Sequence, residues 1–305
     1  MGLDPVNDKH VLILGCGYTG VALAQRLAFK GQPVVGTTRT EARASIIRTR
    51  GAHPIVWDGR EVQALAPWRG RVHAVVCSIP PDVAPNGDFT DLTAALLDFF
   101  ADWSLDAFVY ISSTSVYGDR GGEVADEDTP CDPDSPRGAA RLAIERQVLA
   151  APLTGMVIRP AGIYGPGRSQ LHRMAAAKYR LVGGGGAFTN RVHVTDLAAL
   201  IEAAINRGQR GAVYLGSDLE PATQRAVVDH VVTTYGLSVP TDMPLAEARI
   251  RLDKNVLAMV TGSKRLDPAK TLAALGVKLR FPSYREGLAD VWRRQRSEIE
   301  ALVPR

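Results

Sequence analysis

Three glycines near the start of the chain have the spacing that phosphate binding needs. Gly15, Gly17 and Gly20 fit G-x-G-x-x-G, with Cys16, Tyr18 and Thr19 between them. In that pattern the first glycine permits a tight turn and the second lets the backbone approach a pyrophosphate. The third lets a helix pack closely on a strand. The phosphates then lie at a helix N-terminus, where free N–H groups and the helix dipole favour anions. About twenty residues further on, an NAD site places a carboxylate against the adenosine ribose. Thr38 holds that place here, and Arg39 follows it. With no carboxylate to repel a 2′-phosphate and a guanidinium able to bind one, the expected cofactor is NADP, with NAD the alternative. The competing reading of Arg39 is a solvated side chain at a helix start.

These residues need a strand–helix–strand unit to position them, and the surrounding sequence supplies one. Val11-Leu12-Ile13-Leu14 is an unbroken apolar run of buried-strand type, Val21 to Leu27 continues at helical spacing, and Pro33 to Arg39 gives a second strand. Helix 41–50 and strands 53–57, 71–77, 106–111 and 155–160 follow, with helices 91–103 and 136–150 between them. Prolines 80 and 81 stop the fourth strand. In helix 91–103, Leu92, Leu96, Phe99, Phe100 and Trp103 form a wide apolar band, read as burial on two sides, against the sheet and a partner subunit. This alternation predicts an α/β fold of Rossmann type, a doubly wound parallel sheet. Ligands in such sheets bind beyond the carboxyl ends of the strands. Gly15–Gly20, Ser78–Pro81, Ser112–Ser115 and Pro160–Tyr164 all fall there.

After Gly165 the pattern loosens into glycine-rich turns. Residues 191–196 then lead into a helix at 197–204, and 212–215 reads as a last strand. Residues 1–9 read as a loose lead. The expected division is a nucleotide-binding domain over 1–165, rejoined by 190–216, and a smaller helix-rich C-terminal substrate domain from 166–189 and 217–305.

Bulk properties exclude several classes. The 305 residues are 46% hydrophobic and 22% charged, an ordinary globular balance. The formal net charge is +4, but the arginines are scattered, which argues against nucleic-acid binding. Cys16, Cys77 and Cys131 have neither disulfide nor metal-ligand spacing. No window approaches a membrane span and no apolar leader opens the chain, so the expected location is cytoplasmic.

Several stretches, taken together and in order, resemble the extended short-chain dehydrogenase/reductases, the NAD-dependent epimerase/dehydratase branch. They are the glycine turn, Ser112-Ser113-Thr114-Ser115-Val116-Tyr117-Gly118, Arg159-Pro160-Ala161-Gly162-Ile163-Tyr164-Gly165-Pro166-Gly167, Val192-His193-Val194-Thr195-Asp196, and Tyr284-Arg285-Glu286-Gly287-Leu288. The resemblance spans nearly the whole chain. It implies NAD(P) lying against Gly15, Gly17, Tyr18, Thr19, Gly20, Thr38, Arg39, Ser78, Ile79, Pro80, Ser112, Arg141, Pro160 and Ile163. It also implies a small-molecule substrate and a homodimer through helices 91–103 and 136–150.

The catalytic pattern departs from that family. Ser113 stands at the expected Ser/Thr position, but the usual Tyr-x-x-x-Lys is replaced by Arg137 and Arg141. A guanidinium stays protonated at working pH and is no general acid–base, although Arg141 can still carry positive charge to the ribose. The chain thus resembles an atypical, YeeZ-like subgroup. The catalytic candidates are Ser113 as an orienting hydroxyl, Arg141, and Tyr164 as a substitute phenol. Tyr117 is a second candidate phenol. His193 titrates in the useful range, but its strand-to-helix setting favours a structural hydrogen bond. Cys77 reads as buried and inert, and Asp126, Glu127 and Asp128 as solvated. The expected function is an NADP-preferring oxidoreductase or epimerase-like enzyme acting on a carbonyl or sugar-type substrate. The alternatives are a non-catalytic NADP(H) sensor, or a nucleotide-sugar binder using Arg168, Arg173 and Arg191.

Overall fold

The computed structural model describes residues 9–84 and 88–304. All but one residue of the expected N-terminal lead lies outside them. Seven strands form one sheet: β1 (His10–Leu14), β2 (Val34–Thr38), β3 (His53–Val56), β4 (Val72–Cys77), β5 (Ala107–Ile111), β6 (Gly155–Pro160) and β7 (Val213–Gly216). Their spatial order is β3-β2-β1-β4-β5-β6-β7 and every pairing is parallel. The chain runs outward from β1 to β3, then crosses back to β4. The order therefore reverses between β1 and β4, and a crevice opens beyond their carboxyl ends.

The helices are α1 (Tyr18–Phe29), α2 (Glu41–Thr49), α3 (Thr93–Phe100), α4 (Pro136–Ala150), α5 (Gln170–Ala175) and α6 (Val194–Arg207). The C-terminal part adds α7 (Gln224–Tyr235), α8 (Leu245–Arg251), α9 (Lys254–Thr261), α10 (Ala269–Leu275) and α11 (Tyr284–Glu300). The sheet is covered on both faces, which is why β4, β5 and β6 are buried along their whole length without alternation, and are apolar but for His73 and Arg159. One core joins Val11, Ile13, Val109 and Ile158 to α1 and α6 residues such as Leu23 and Ile201. The other joins Leu12, Val75 and Phe108 to Leu96, Phe100, Ile144 and Val148. A third cluster, containing Leu171, Val227, Val231, Leu288 and Val291, belongs to the C-terminal helices.

Two expectations about helices change. α6 begins at Val194 and continues to Arg207, because His193 caps it and Asp196 lies in its first turn. α3 spans Thr93–Phe100, shorter than the expected 91–103; Leu96, Leu97, Phe100 and Trp103 are buried in the core of this chain, while Leu92 and Phe99 are half-buried. No described helix is long and apolar enough to cross a membrane.

Candidate dinucleotide and substrate site

The glycine turn sits at the mouth of the crevice. Gly15 has φ +74°, and a Cβ there would come within 3.0 Å of Ile79 at the end of β4. Its N–H donates to Thr37 Oγ1 of β2 at 2.9 Å, so the turn is tied to both flanking strands. Gly20 is packed just as tightly, since a Cβ would lie 3.0 Å from Ile13 and 3.3 Å from Cys16 Sγ. Gly17 differs: a Cβ there meets only the Gly15 carbonyl, at 3.8 Å. As the N-cap of α1, Gly17 offers no side-chain acceptor to the first turn. Those N–H groups are therefore left to a ligand, and the space over Gly17 admits one. The turn fits a pyrophosphate.

Tyr18 and Thr19 follow on the first turn of α1. The Tyr18 hydroxyl donates to the Pro166 carbonyl at 3.1 Å, burial pushes its pKa up to about 12, and the Arg168 guanidinium lies over its ring. Ser78 continues β4, with its N–H on the Leu14 carbonyl, while Ile79 packs on Gly15 and Pro80 is exposed. At the ends of β2 and β3, Thr38 is buried and Arg39 is exposed beside an open hollow of about 450 Å³ lined also by Trp57, Asp58, Arg60 and Glu61. Pro160 is buried and Ile163 half-buried where β6 leaves the sheet.

Beyond β5, Ser112 is buried and its Oγ has no hydrogen-bond partner. An orphaned hydroxyl in a crevice is one that a ligand can satisfy. Ser113 Oγ accepts from the Ser115 N–H at 3.1 Å, capping the short 3₁₀ turn Thr114–Tyr117. Arg141 Nη1 donates to the Ile111 carbonyl at 2.9 Å, so the guanidinium holds the strand end that presents both serines. Arg137, one turn earlier on α4, has an exposed side chain, and its N–H donates to Asn255 Oδ1 of α9 at 3.1 Å. Nothing in the sequence signalled Asn255, which is 118 positions away.

The phenols are all engaged or enclosed. Tyr117 donates to the Asp126 carbonyl at 2.8 Å and accepts from Arg159 at 3.0 Å, and burial pushes it up to about 12. Tyr110 is buried within the sheet and its pKa is raised by burial. The Tyr164 hydroxyl lies 3.5 Å from the Ser283 carbonyl, against Gly287 of α11, where any Cβ would collide with it. Its ring meets His193 edge-on, and burial raises its pKa. His193 Nδ1 accepts from the Thr195 N–H, and burial lowers the imidazole to about 4. It is a structural cap, as its motif suggested. Burial pushes the Cys77 thiol up to about 11.

The acidic loop is not merely solvated, which corrects the sequence reading. Lys270 Nζ donates to Asp126 at 2.6 Å and Asp128 at 2.5 Å, and Glu127 accepts from the Thr271 N–H at 3.0 Å. The loop fastens α10 to the sheet domain. Nor do the three phosphate-facing arginines form one set: Arg168 lies on Tyr18, Arg173 on Tyr179, and Arg191 is buried with both Nη atoms on Thr189. Among the described residues no cluster of His, Cys, Asp or Glu could hold a metal.

Comparison with known proteins agrees with this geometry. A 3-diazoavenalumate denitrifying reductase from Streptomyces is 28% identical over 90% of this chain and 98% of its own length. Protein YeeZ of Escherichia coli K12 is 30% identical over 68% of this chain and 76% of its own. Among solved structures, a conserved protein of unknown function from Silicibacter pomeroyi superposes with a TM-score of 0.82 at 33% identity, covering 94% of this chain and 99% of that one. A UDP-glucose 4-epimerase from Thermotoga maritima shares the fold, with a TM-score of 0.80 at 18% identity over 95% of this chain and all of that one. The model of the NAD dependent epimerase/dehydratase family matches residues 11–216. With that much of the chain covered, the protein belongs to the NAD-dependent epimerase/dehydratase family.

Proposed function

We propose that the chain is an NADP-preferring oxidoreductase acting on a small carbonyl or sugar-type substrate, with no phenol delivering the proton. The carrying observation is the first two turns of α4, where Arg137 and Arg141 stand in place of the usual tyrosine and lysine while Tyr110, Tyr117 and Tyr164 are enclosed elsewhere. When bound, the dinucleotide supplies a hydride donor or acceptor at its nicotinamide. The protein's part is to hold it: the glycine turn takes the pyrophosphate, Thr38 and Arg39 the adenosine end, and Ser112 and Arg141 the region near the nicotinamide ribose. Ser113 orients the substrate. Tyr164 is read as a packing residue, on the strength of its contacts with Gly287 and His193. The domain division stays at 165/166, 189/190 and 216/217, and a homodimer through α3 and α4 is part of the reading.

The name of the Streptomyces relative widens the acceptor class to be screened. A diazonium carbon that takes a hydride and loses dinitrogen needs no proton from the protein, which suits a site without a free phenol. The second reading, a non-catalytic NADP(H) sensor, rests on the same missing pair. Thermal stabilisation by NADPH, NADP, NADH and NAD tests cofactor binding, and a ligand at a hundred times its Kd adds about 2.7 kcal/mol. NADPH consumption with ketones, sugar nucleotides and aryl diazonium salts then separates the two readings. Binding without turnover across that panel favours the sensor, and turnover lost in Ser113→Ala favours the enzyme.

A further inference from the structure

We propose that Arg137 and the exposed side of α9 select the substrate: the guanidinium takes a carboxylate, and the helix takes the apolar body beside it. This rests on reading the crevice beyond β5 as the seat of the reacting carbonyl. Two contacts fix α4 there. Arg141 Nη1 holds the Ile111 carbonyl, and Gly138 lies so near the 3₁₀ turn that a Cβ would come within 2.7 Å of the Ser115 carbonyl. Arg137 precedes Arg141 by four residues, so it leaves the same face of the helix about 6 Å further out. Its side chain is exposed.

Among the described residues that guanidinium makes no hydrogen bond or ion pair. Asp253, the N-cap of α9, is held below its usual pKa chiefly by the Asn255 N–H at 2.9 Å, with a weaker pull from Arg137 and no ion pair between them. The helix N-terminus itself offers an anion nothing. Pro136 has no N–H, and the N–H groups of Arg137, Gly138 and Ala139 are taken by Asn255 and Ser135. The charge therefore comes from the side chain, and a guanidinium matches a carboxylate through two parallel hydrogen bonds. On α9, Met259 lies one turn beyond Asn255, and Val256 lies three residues before Met259. The two form an apolar strip beside the contact with α4. Met259 is 64% exposed and Val256 37%. Leu257 and Val260 already pack inward on Val182, Met243 and Ala248, so the core does not use the strip. An unpaired guanidinium next to such a strip suits a carbonyl acid that is apolar over most of its length, and methionine adapts to its shape.

Calorimetric titration of 4-formylbenzoate and of its methyl ester into the full chain saturated with NADP tests this, since no hydride is then available. The acid is expected to bind about tenfold more tightly than the ester, a preference lost in Arg137→Gln and partly kept in Arg137→Lys. Met259→Ser is expected to weaken acid and ester alike, by roughly fivefold. No binding of the acid, equal binding of the two, a preference that survives Arg137→Gln, or binding indifferent to Met259→Ser overturns the proposal. NADPH consumption read in parallel separates the proposal from the reading beneath it. An acid preferred in binding but never reduced counts against the oxidoreductase and leaves the anchor standing. Both compounds reduced with equal KM keeps the oxidoreductase and removes the anchor.

Discussion

Arg159 at the end of β6 and Glu145 in α4 form a buried ion pair, with Nε 3.1 and 3.2 Å from the two carboxylate oxygens and Nη2 at 2.7 Å from one of them. Arg159 is 5% exposed and Glu145 1%. The same guanidinium donates to Tyr117, which donates to the Asp126 carbonyl. One cation thus ties together the helix carrying Arg137 and Arg141, the strand beside it, and the 3₁₀ turn that follows the serines.

Removing one partner of such a pair strands a charge away from water. Glu145→Ala is expected to cost about 3–5 kcal/mol of stability in urea unfolding, and Glu145→Leu combined with Arg159→Met to recover most of it. A double variant as unstable as the single one would show that shape, not the stranded charge, sets the cost.

Gly17 and Gly20 separate binding from folding. Gly17→Val leaves the melting temperature nearly unchanged, because space is open there, but weakens dinucleotide binding more than tenfold, a loss of over ~1.4 kcal/mol. Gly20→Val forces a side chain against Ile13 and Cys16 and costs about 1–3 kcal/mol in stability. Equal dinucleotide affinity in the Gly17 variant and the parent contradicts the assignment of the turn.

Arg39 is expected to decide between the cofactors. Arg39→Ala weakens NADP by roughly ten- to a hundredfold and leaves NAD unchanged, as read by fluorescence titration of the reduced forms. A parallel loss for both cofactors removes the 2′-phosphate from this side chain.

Asp218 sets a pH dependence. It is 1% exposed, and burial pushes its pKa from 3.8 to about 8 despite the opposing Arg191 charge. The folded chain therefore keeps a proton that the unfolded chain releases. The stability of the neutral form is complete below the unfolded value and is lost as pH rises towards 8. Asp218→Asn should match the parent near pH 4 and exceed it at pH 9 by on the order of 6 kcal/mol, as the separation between 3.8 and about 8 requires. Unfolding curves at both pH values check this, and a constant difference between them refutes it.

Arg137→Tyr probes the helix start. Its side chain is exposed and only its N–H is bonded, so the variant should fold normally. Ketone reduction appearing with the new phenol shows that the remaining geometry supports hydride transfer. No gain, with NADPH still bound, favours the sensor.

Local pattern revealed much of this. The apolar runs of β1, β4, β5 and β6, and the glycine spacing, are properties of neighbouring residues, and the structure bears them out. His193 was legible as a cap because Thr195 lies two residues away. The loop at Asp126–Asp128 was not, since its partners Lys270 and Thr271 are more than 140 positions distant. The surroundings of Tyr164 were hidden for a related reason: its motif points to a site, while α11, which packs against its hydroxyl, comes from the far end of the sequence. Sequence spacing cannot report which segment covers a side chain.

The brace on Tyr18 reaches across the fold. Its hydroxyl rests on Pro166, and the next N–H, that of Gly167, donates to Gln295 at 2.6 Å, where α11 kinks. The glycine turn and α11 are thus coupled through one short loop, so a substitution that straightens or loosens α11 at Gln295 also loosens the seat of Tyr18.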